Sequence, residues 1–281
     1  MIMNKTLIKA LWLAAFVPLF AACSSEEDSL VPSGEPQEVQ VSIDTRATTD
    51  GDTWTWENND VIGLNVTGYN GTSSSYTLTY NAQTRSWTRS EPIIVTLPGT
   101  ITAWYPGGIG TSANSFTIPE NQTTSGNLCK ADFMTYSGDL ISTTPSVTLE
   151  HRLSKVIVTI SDWTDYGETM PEVKDFFIQT KKSITVNGNT VTGDENTIDI
   201  SPLQDEAAHS YTAIVAPGAG FTITLTVDSR HKNVTYSGTL ESGNAYSFNL
   251  TLKDTNTLGT RSAGTSDCEL ELVEVRNINE K

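Results

Sequence analysis

The residues of this sequence most able to do chemistry are three histidines, several acid pairs, three cysteines and one arginine placed just after an alternating apolar run. His151, His209 and His231 have no glutamate or second histidine at metal-ligand spacing. Ser154 and Lys155 are adjacent, so on a strand they point to opposite faces and cannot act as a Ser–Lys dyad. Asp50, Asp52 and Glu57 could flank a cation, but their spacing is not that of an EF-hand loop. Asp194 with Glu195, and Asp205 with Glu206, fall in turn-like stretches and read as solvated. Gly107, Gly108 and Gly110 follow Pro106 without opening a helical pattern, which argues against a phosphate-binding loop. The expectation is a protein with no catalytic residue, no metal site and no cofactor.

Cys23 offers a different chemistry. Lys5 and Lys9 precede an apolar run from Ala10 to Leu19. That run is too short to span a bilayer, which takes about 20 apolar residues, and suits a secretory h-region. It ends in Leu19-Phe20-Ala21-Ala22-Cys23, small residues directly before a cysteine, which resembles a bacterial lipobox. Residues 1–22 therefore read as a lipoprotein signal peptide and Cys23 as the lipid attachment point, although Phe20 stands where a smaller aliphatic residue is usual. Ser24-Ser25-Glu26-Glu27-Asp28 then resembles a serine-plus-acidic export tag, which implies the outer face of an outer membrane. Cys129 and Cys268 remain, able to form one bridge at most and expected as two separate thiols.

The elements that must position these residues are strands. The chain has 281 residues and a formal charge of −16, which argues against nucleic acid and anionic membrane surfaces as partners. Short alternating runs rich in Thr, Val, Ile, Tyr and Trp recur along it, punctuated by Gly and Asn. Val39, Val41 and Ile43 share one face of the first such run. Tyr76 to Tyr80 and Trp87-Thr88 read as a hairpin, and Ile93 to Leu97 is split from Ile101 to Tyr105 by Pro98-Gly99. Asn121 to Asn127 reads as polar and irregular, and a Thr/Pro break at Ser142 to Ser146 marks a boundary. Val147 to Ile160 is the longest β-branched run, and Asn187-Gly188-Asn189 is a strong hairpin signal. The expected fold is all-β, two tandem β-sandwiches with little helix. The expected division is a spacer and first strand at 23–46, sandwiches at 47–143 and 144–253, and a linker with a terminal strand at 254–281.

Four landmarks carry a resemblance. They are Trp54 through Asn59-Asp60-Val61-Ile62-Gly63-Leu64, then Ala131-Asp132-Phe133-Met134, then Leu149-Glu150-His151-Arg152-Leu153-Ser154-Lys155-Val156, and last Ser242-Gly243-Asn244-Ala245-Tyr246-Ser247-Phe248-Asn249-Leu250. In type and order they resemble the fimbrillin family, fimbrial subunit lipoproteins of Gram-negative anaerobes. The resemblance implies two transthyretin-like sandwiches and a surface location in the outer membrane and fimbria. It also implies assembly by strand exchange. An Arg-specific protease would cut between Arg46 and Ala47, releasing the lipid together with the strand of Val39, Val41 and Ile43. A strand from the next subunit would refill the vacated groove. The candidate donor is the C-terminal run, with Leu270, Leu272, Val273 and Val275 as its apolar residues and a slip in its alternation at Val273. That run either leaves for a neighbour or folds back as an edge strand.

On this reading the partners are other fimbrial subunits, a lipid anchor in the outer membrane before maturation, and a receptor on a host or bacterial surface. His151 is expected to be structural. A rival reading is a stand-alone surface lipoprotein that binds glycan or host protein, with Trp54, Trp56, Trp87, Trp104, Trp163, Tyr69 and Tyr105 as sugar-stacking rings; alternatively those rings pack between sheets.

Overall fold

The computed structural model describes residues 34–44, 56–108, 110–254 and 268–279. Cys23, Trp54, Arg46 and Ala47, and with them the lipid site and the cleavage bond, lie outside the described residues.

The first strands in chain order are β1 (Pro36–Val39), β2 (Ser42–Ile43), β3 (Val61–Gly68), β4 (Ser73–Asn81), β5 (Ser86–Arg89), β6 (Ile93–Thr96), β7 (Gly99–Tyr105) and β8 (Ser115–Thr117). A short helix, α1 (Ser125–Ala131), precedes β9 (Met134–Leu140), β10 (Ser146–Val147), β11 (Glu150–His151) and β12 (Ser154–Asp162). The rest are β13 (Val173–Lys181), β14 (Ser183–Asn187), β15 (Thr190–Gly193), β16 (Thr197–Ile200), β17 (Leu203–Asp205), β18 (Ser210–Val215), β19 (Phe221–Val227), β20 (Arg230–Tyr236), β21 (Asn244–Leu252) and β22 (Cys268–Asn277).

The expected all-β architecture is present, and period-two burial is its cause. On β3 the side chains of Ile62, Leu64 and Val66 are buried while Asn65 is exposed. With Leu78 of β4, Ile101 and Ala103 of β7 and Met134 of β9, they form the inner face of a six-stranded sheet ordered β11-β9-β7-β3-β4-β5. That face packs on Val39, Ile93, Val95 and Val147, which come from two short pairs, β1–β6 and β2–β10. A second apolar cluster lies between a five-stranded sheet, β17-β18-β12-β21-β22, and a four-stranded sheet, β16-β13-β19-β20. Strand β12 pairs antiparallel with β18 and parallel with β21.

Two elements depart from the local reading, and a third, a strand as the local run predicts, finds a partner that nothing local announces. Helix α1 forms where the sequence reads as irregular. It has seven residues, starts on the Thr124 side chain, which accepts from Asn127 N at 3.2 Å, and buries only Leu128 and Ala131. A helix that short leaves no periodic signature. The Val147 to Ile160 run breaks into three strands because its first part stays in one core, through Val147 and Leu149, and its last part enters the other, through Leu153, Val156 and Val158. Strand β8 pairs with β14, joining a residue run before the helix to the hairpin β14–β15 well after it. The Asn187-Gly188-Asn189 signal does make that hairpin, with Gly188 at φ +58° and Asn187 paired to Thr190.

The segment before α1 is fastened by one side chain. Gln122 is fully buried; its Nε2 donates to Ile214 O at 2.9 Å and to Pro119 O at 3.3 Å, and its Oε1 accepts from Ile214 N at 2.7 Å. Gln122→Leu strands a buried N–H and a buried C=O, so urea unfolding is expected to find a loss of about 1–3 kcal/mol. A midpoint indistinguishable from the unchanged protein would contradict this account of the fastening.

Candidate functional site

The first described segment is a strand that changes partners halfway. Residues 36–39 pair antiparallel with β6, Pro36 opposite Thr96 and Val39 opposite Ile93. Thereafter Gln40 N donates to Thr143 O at 2.7 Å, Ser42 N to Pro145 O at 2.9 Å and Asp44 N to Val147 O at 3.0 Å, a parallel register. Among the described residues β6 has no other strand partner, and neither has β10. Val39 is fully buried, and Val41 and Ile43 pack half-buried against the same core. Burying Val39 stabilises by about 1.5–3 kcal/mol. Arg89 reinforces the outer side, donating to Val39 O at 3.1 Å and pairing with Glu38 at 2.9 Å. The segment 36–44 thus completes the first sandwich: without it β6 and β10 lose their ladders and the core gains a groove.

The last described segment is held differently. Strand β22 folds back antiparallel on β21 as the edge of the five-stranded sheet. A bulge at Ser247/Phe248 leaves Val273 without a partner, which is the structural form of the slip in alternation. Cys268 is buried and Leu270 partly so, but Leu272, Val273 and Val275 are 38%, 58% and 48% exposed. An edge strand with apolar residues in water is a template for pairing with another chain. Cys129 and Cys268 are not joined in a disulfide.

Both ends of β22 are pinned. At its start, Lys253 pairs with Glu269, and Lys253 O accepts from Lys232 Nζ at 2.8 Å and from the Tyr166 hydroxyl at 3.2 Å. Burial raises the Tyr166 phenol above its usual range, against the opposing pull of Lys232. At its far end, Ile278 is buried and its N donates to Gly243 O at 2.8 Å. The Asn279 amide closes on the main chain of His151, accepting from His151 N at 2.7 Å and donating to His151 O at 3.3 Å.

His151 is therefore the point where the landmarks meet. Its Nδ1 lies 2.8 Å from Asp132 Oδ1, both side chains 2% exposed. The Ser242 hydroxyl donates to His151 O at 3.4 Å, the Ser154 hydroxyl to Glu241 O at 2.9 Å, and Gly243 N to Leu153 O at 2.9 Å. Three landmarks, spaced along the chain, are one buried polar knot. The earlier landmark is tied separately: Asp60 accepts from Tyr105 Oη and from Glu57 N, each at 2.8 Å. Sequence reasoning named these residues but missed their contacts, and missed Asn279 altogether, because nothing local couples position 279 to position 151.

The knot has the residue types of a catalytic triad without its geometry. Both serine hydroxyls are directed at main-chain oxygens, and the His–Asp pair is sealed from solvent. His209 packs edge-on against Trp163 and His231 lies 3.1 Å from Thr226 Oγ1, each far along the chain from His151. Most of the rings proposed for sugar stacking are largely covered: Tyr105, facing the first core, is 1% exposed, Trp104, on the other face of the same strand, is 8% exposed, and Trp56 packs on Trp87 and Tyr105 at 4.9 and 5.3 Å. Of those described, Tyr69 is the one well exposed, at 67%.

Asn279→Ala removes both bonds to His151. Amides from Glu274 to Ile278 should then exchange at least about tenfold faster, with β12 and β18 still protected, when followed by hydrogen-exchange mass spectrometry. Equal exchange in the two proteins would mean that the pin bears no load.

Comparison with known proteins agrees with this geometry. By sequence no curated protein matches the chain. A proposed cell adhesion protein from Bacteroides ovatus ATCC 8483 superposes with a TM-score of 0.61 at 15% identity, over 86% of this chain and 97% of that one. A second, from Bacteroides uniformis ATCC 8492, gives 0.58 at 19% identity over 88% and 99%. The tip fimbrial protein Mfa3 from Porphyromonas gingivalis, with a C-terminal truncation, gives 0.54 at 9% identity over 86% and 100%. These likenesses are of fold. The profile of a family described as Fimbrillin-like matches residues 45–267, most of the chain, and the chain therefore belongs to the fimbrillin-like family.

Proposed function

We propose that this chain is a structural and adhesive subunit of a cell-surface fimbria, without catalytic activity. It is exported as a lipoprotein through Cys23, held in the outer membrane, cut between Arg46 and Ala47, and assembled by strand exchange. Family membership supports the fimbrial location. The observation that carries the exchange step is the position of residues 36–44 as sole strand partner of β6 and β10 among the described residues. Cutting after Arg46 detaches that partner as one piece, with Val39, Val41 and Ile43 leaving the core.

The donor is β22 of the next subunit. Cys268, Leu270 and Leu272 repeat the alternation of Val39, Val41 and Ile43, and the exposure of Leu272, Val273 and Val275 means that β22 buries little apolar surface in its own sheet, to which main-chain pairing holds it. Its three acids within the strand, Glu269, Glu271 and Glu274, keep the free form soluble. The two-domain division at 47–143 and 144–253 belongs to the same proposal.

Arg46→Ala is expected to leave export intact and abolish both trimming and polymerisation, with surface protein starting at an acylated Cys23 and running as monomer. Unimpaired fibres from that variant would exclude the mechanism.

A further inference from the structure

The outer face of the six-stranded sheet carries a groove that the assembly reading does not use. Cross-strand register places Ser75, Asn65, Thr102 and Ser137 in one row over β4, β3, β7 and β9. The adjacent row is Thr77, Gly63, Trp104 and Thr135. With strands about 4.8 Å apart, each row is about 14 Å long. Over these rows lies a cavity of about 470 Å³, continued beyond Ala113 and Asn114 by one of about 240 Å³. The far wall is fixed, since Val186 N donates to Asn114 O at 2.8 Å and Ser112 Oγ accepts from Asn114 N at 3.1 Å.

Its chemistry is specific. Among the described residues no charged side chain lines the larger cavity, in a chain of net charge −16, while Glu150 and Arg152 line the smaller one and Arg152 Nε donates to Thr135 Oγ1 at 2.6 Å. At the sheet end the hydroxyls pair among themselves, Thr67 with Ser73 at 2.8 Å. Within the rows, by contrast, the hydroxyls of Thr77, Thr102 and Ser137 make no hydrogen bond with another described residue. Asn65 is oriented by Ser75, whose hydroxyl donates to its Oδ1 at 2.9 Å. In the middle lies an apolar tile: a Cβ on Gly63 would stand 2.3 Å from the indole of Trp104, so glycine alone lets that ring lie across the second row. The indole N–H is already used, on Thr111 Oγ1 at 2.8 Å. Uncommitted hydroxyls and an amide, each able to donate and accept, beside an apolar surface and with the one charged pair, Glu150 and Arg152, closed on itself at 3.1 Å, complement a neutral sugar's hydroxyls and its C–H face.

We infer that this groove binds a neutral saccharide of two or three rings. The inference deepens the adhesive half of the proposed function and is independent of strand exchange. It is tested on the full chain by saturation-transfer NMR with lactose, cellobiose, chitobiose and mannobiose as neutral probes and sialyllactose as the acidic one. At least one neutral disaccharide is expected to bind in preference to sialyllactose. Thr102→Val and Thr77→Val, which keep shape and remove a hydroxyl, should each weaken that binding about five- to tenfold. Thermal midpoint and fibre assembly should be unchanged. The inference fails if no probe binds at about 10 mM, if sialyllactose is preferred, or if the valine variants bind as tightly as the unaltered chain. Loss of assembly with retained sugar binding would instead count against strand exchange and leave the groove standing.

Discussion

The structure depends on a single strand that serves two others. Residues 36–44 pair antiparallel with β6 and then parallel with β10, and the described residues offer neither strand a substitute. A sheet normally spreads its ladder over several partners, so that losing one strand leaves the others paired. Here the loss removes the strand partner that each of two elements has among the described residues, together with the buried Val39. Main-chain hydrogen bonds contribute only about 1 kcal/mol each net, but leaving their buried partners unsatisfied costs more. That asymmetry makes an emptied groove avid for any strand that restores the pairing.

The other terminus has the complementary property. Strand β22 contributes little buried apolar surface over most of its length, and its retention rests on its ladder with β21, on the buried Cys268 at one end and on Ile278 and Asn279 at the other. The Asn279 pin closes on the main chain of His151, the residue whose ring is buried against Asp132. The polar knot at His151 thus couples the end of the chain to the turn before β21 and to the strand that enters the second core. Buried polar groups joined in this way favour one arrangement over its near relatives.

What could be read from the sequence was whatever local period determines. The alternation of Val39, Val41 and Ile43 identified a strand, the Asn-Gly pair a hairpin, and the Pro98-Gly99 break the end of β6. The phase slip at Val273 became the β21–β22 bulge. Partners were not readable, because pairing is decided by tertiary packing. Nothing near β8 announces β14, and the halfway change of partner inside residues 36–44 has no local signature. Ring burial is of the same kind: alternation puts the neighbours Trp104 and Tyr105 on opposite faces of β7, but only packing decides that Tyr105 takes the first core and that Trp104 lies covered over Gly63.

The central claim is that residues 36–44 form a replaceable strand between β6 and β10. Hydrogen exchange on the chain shortened to begin at Ala47, with and without a peptide spanning residues 268–279, tests it most directly. Shortening should deprotect residues 93–96 and 143–147 while the second core keeps its protection, and the peptide should restore it. Unchanged exchange in those two segments on shortening, or no recovery when the peptide is added, would contradict the account.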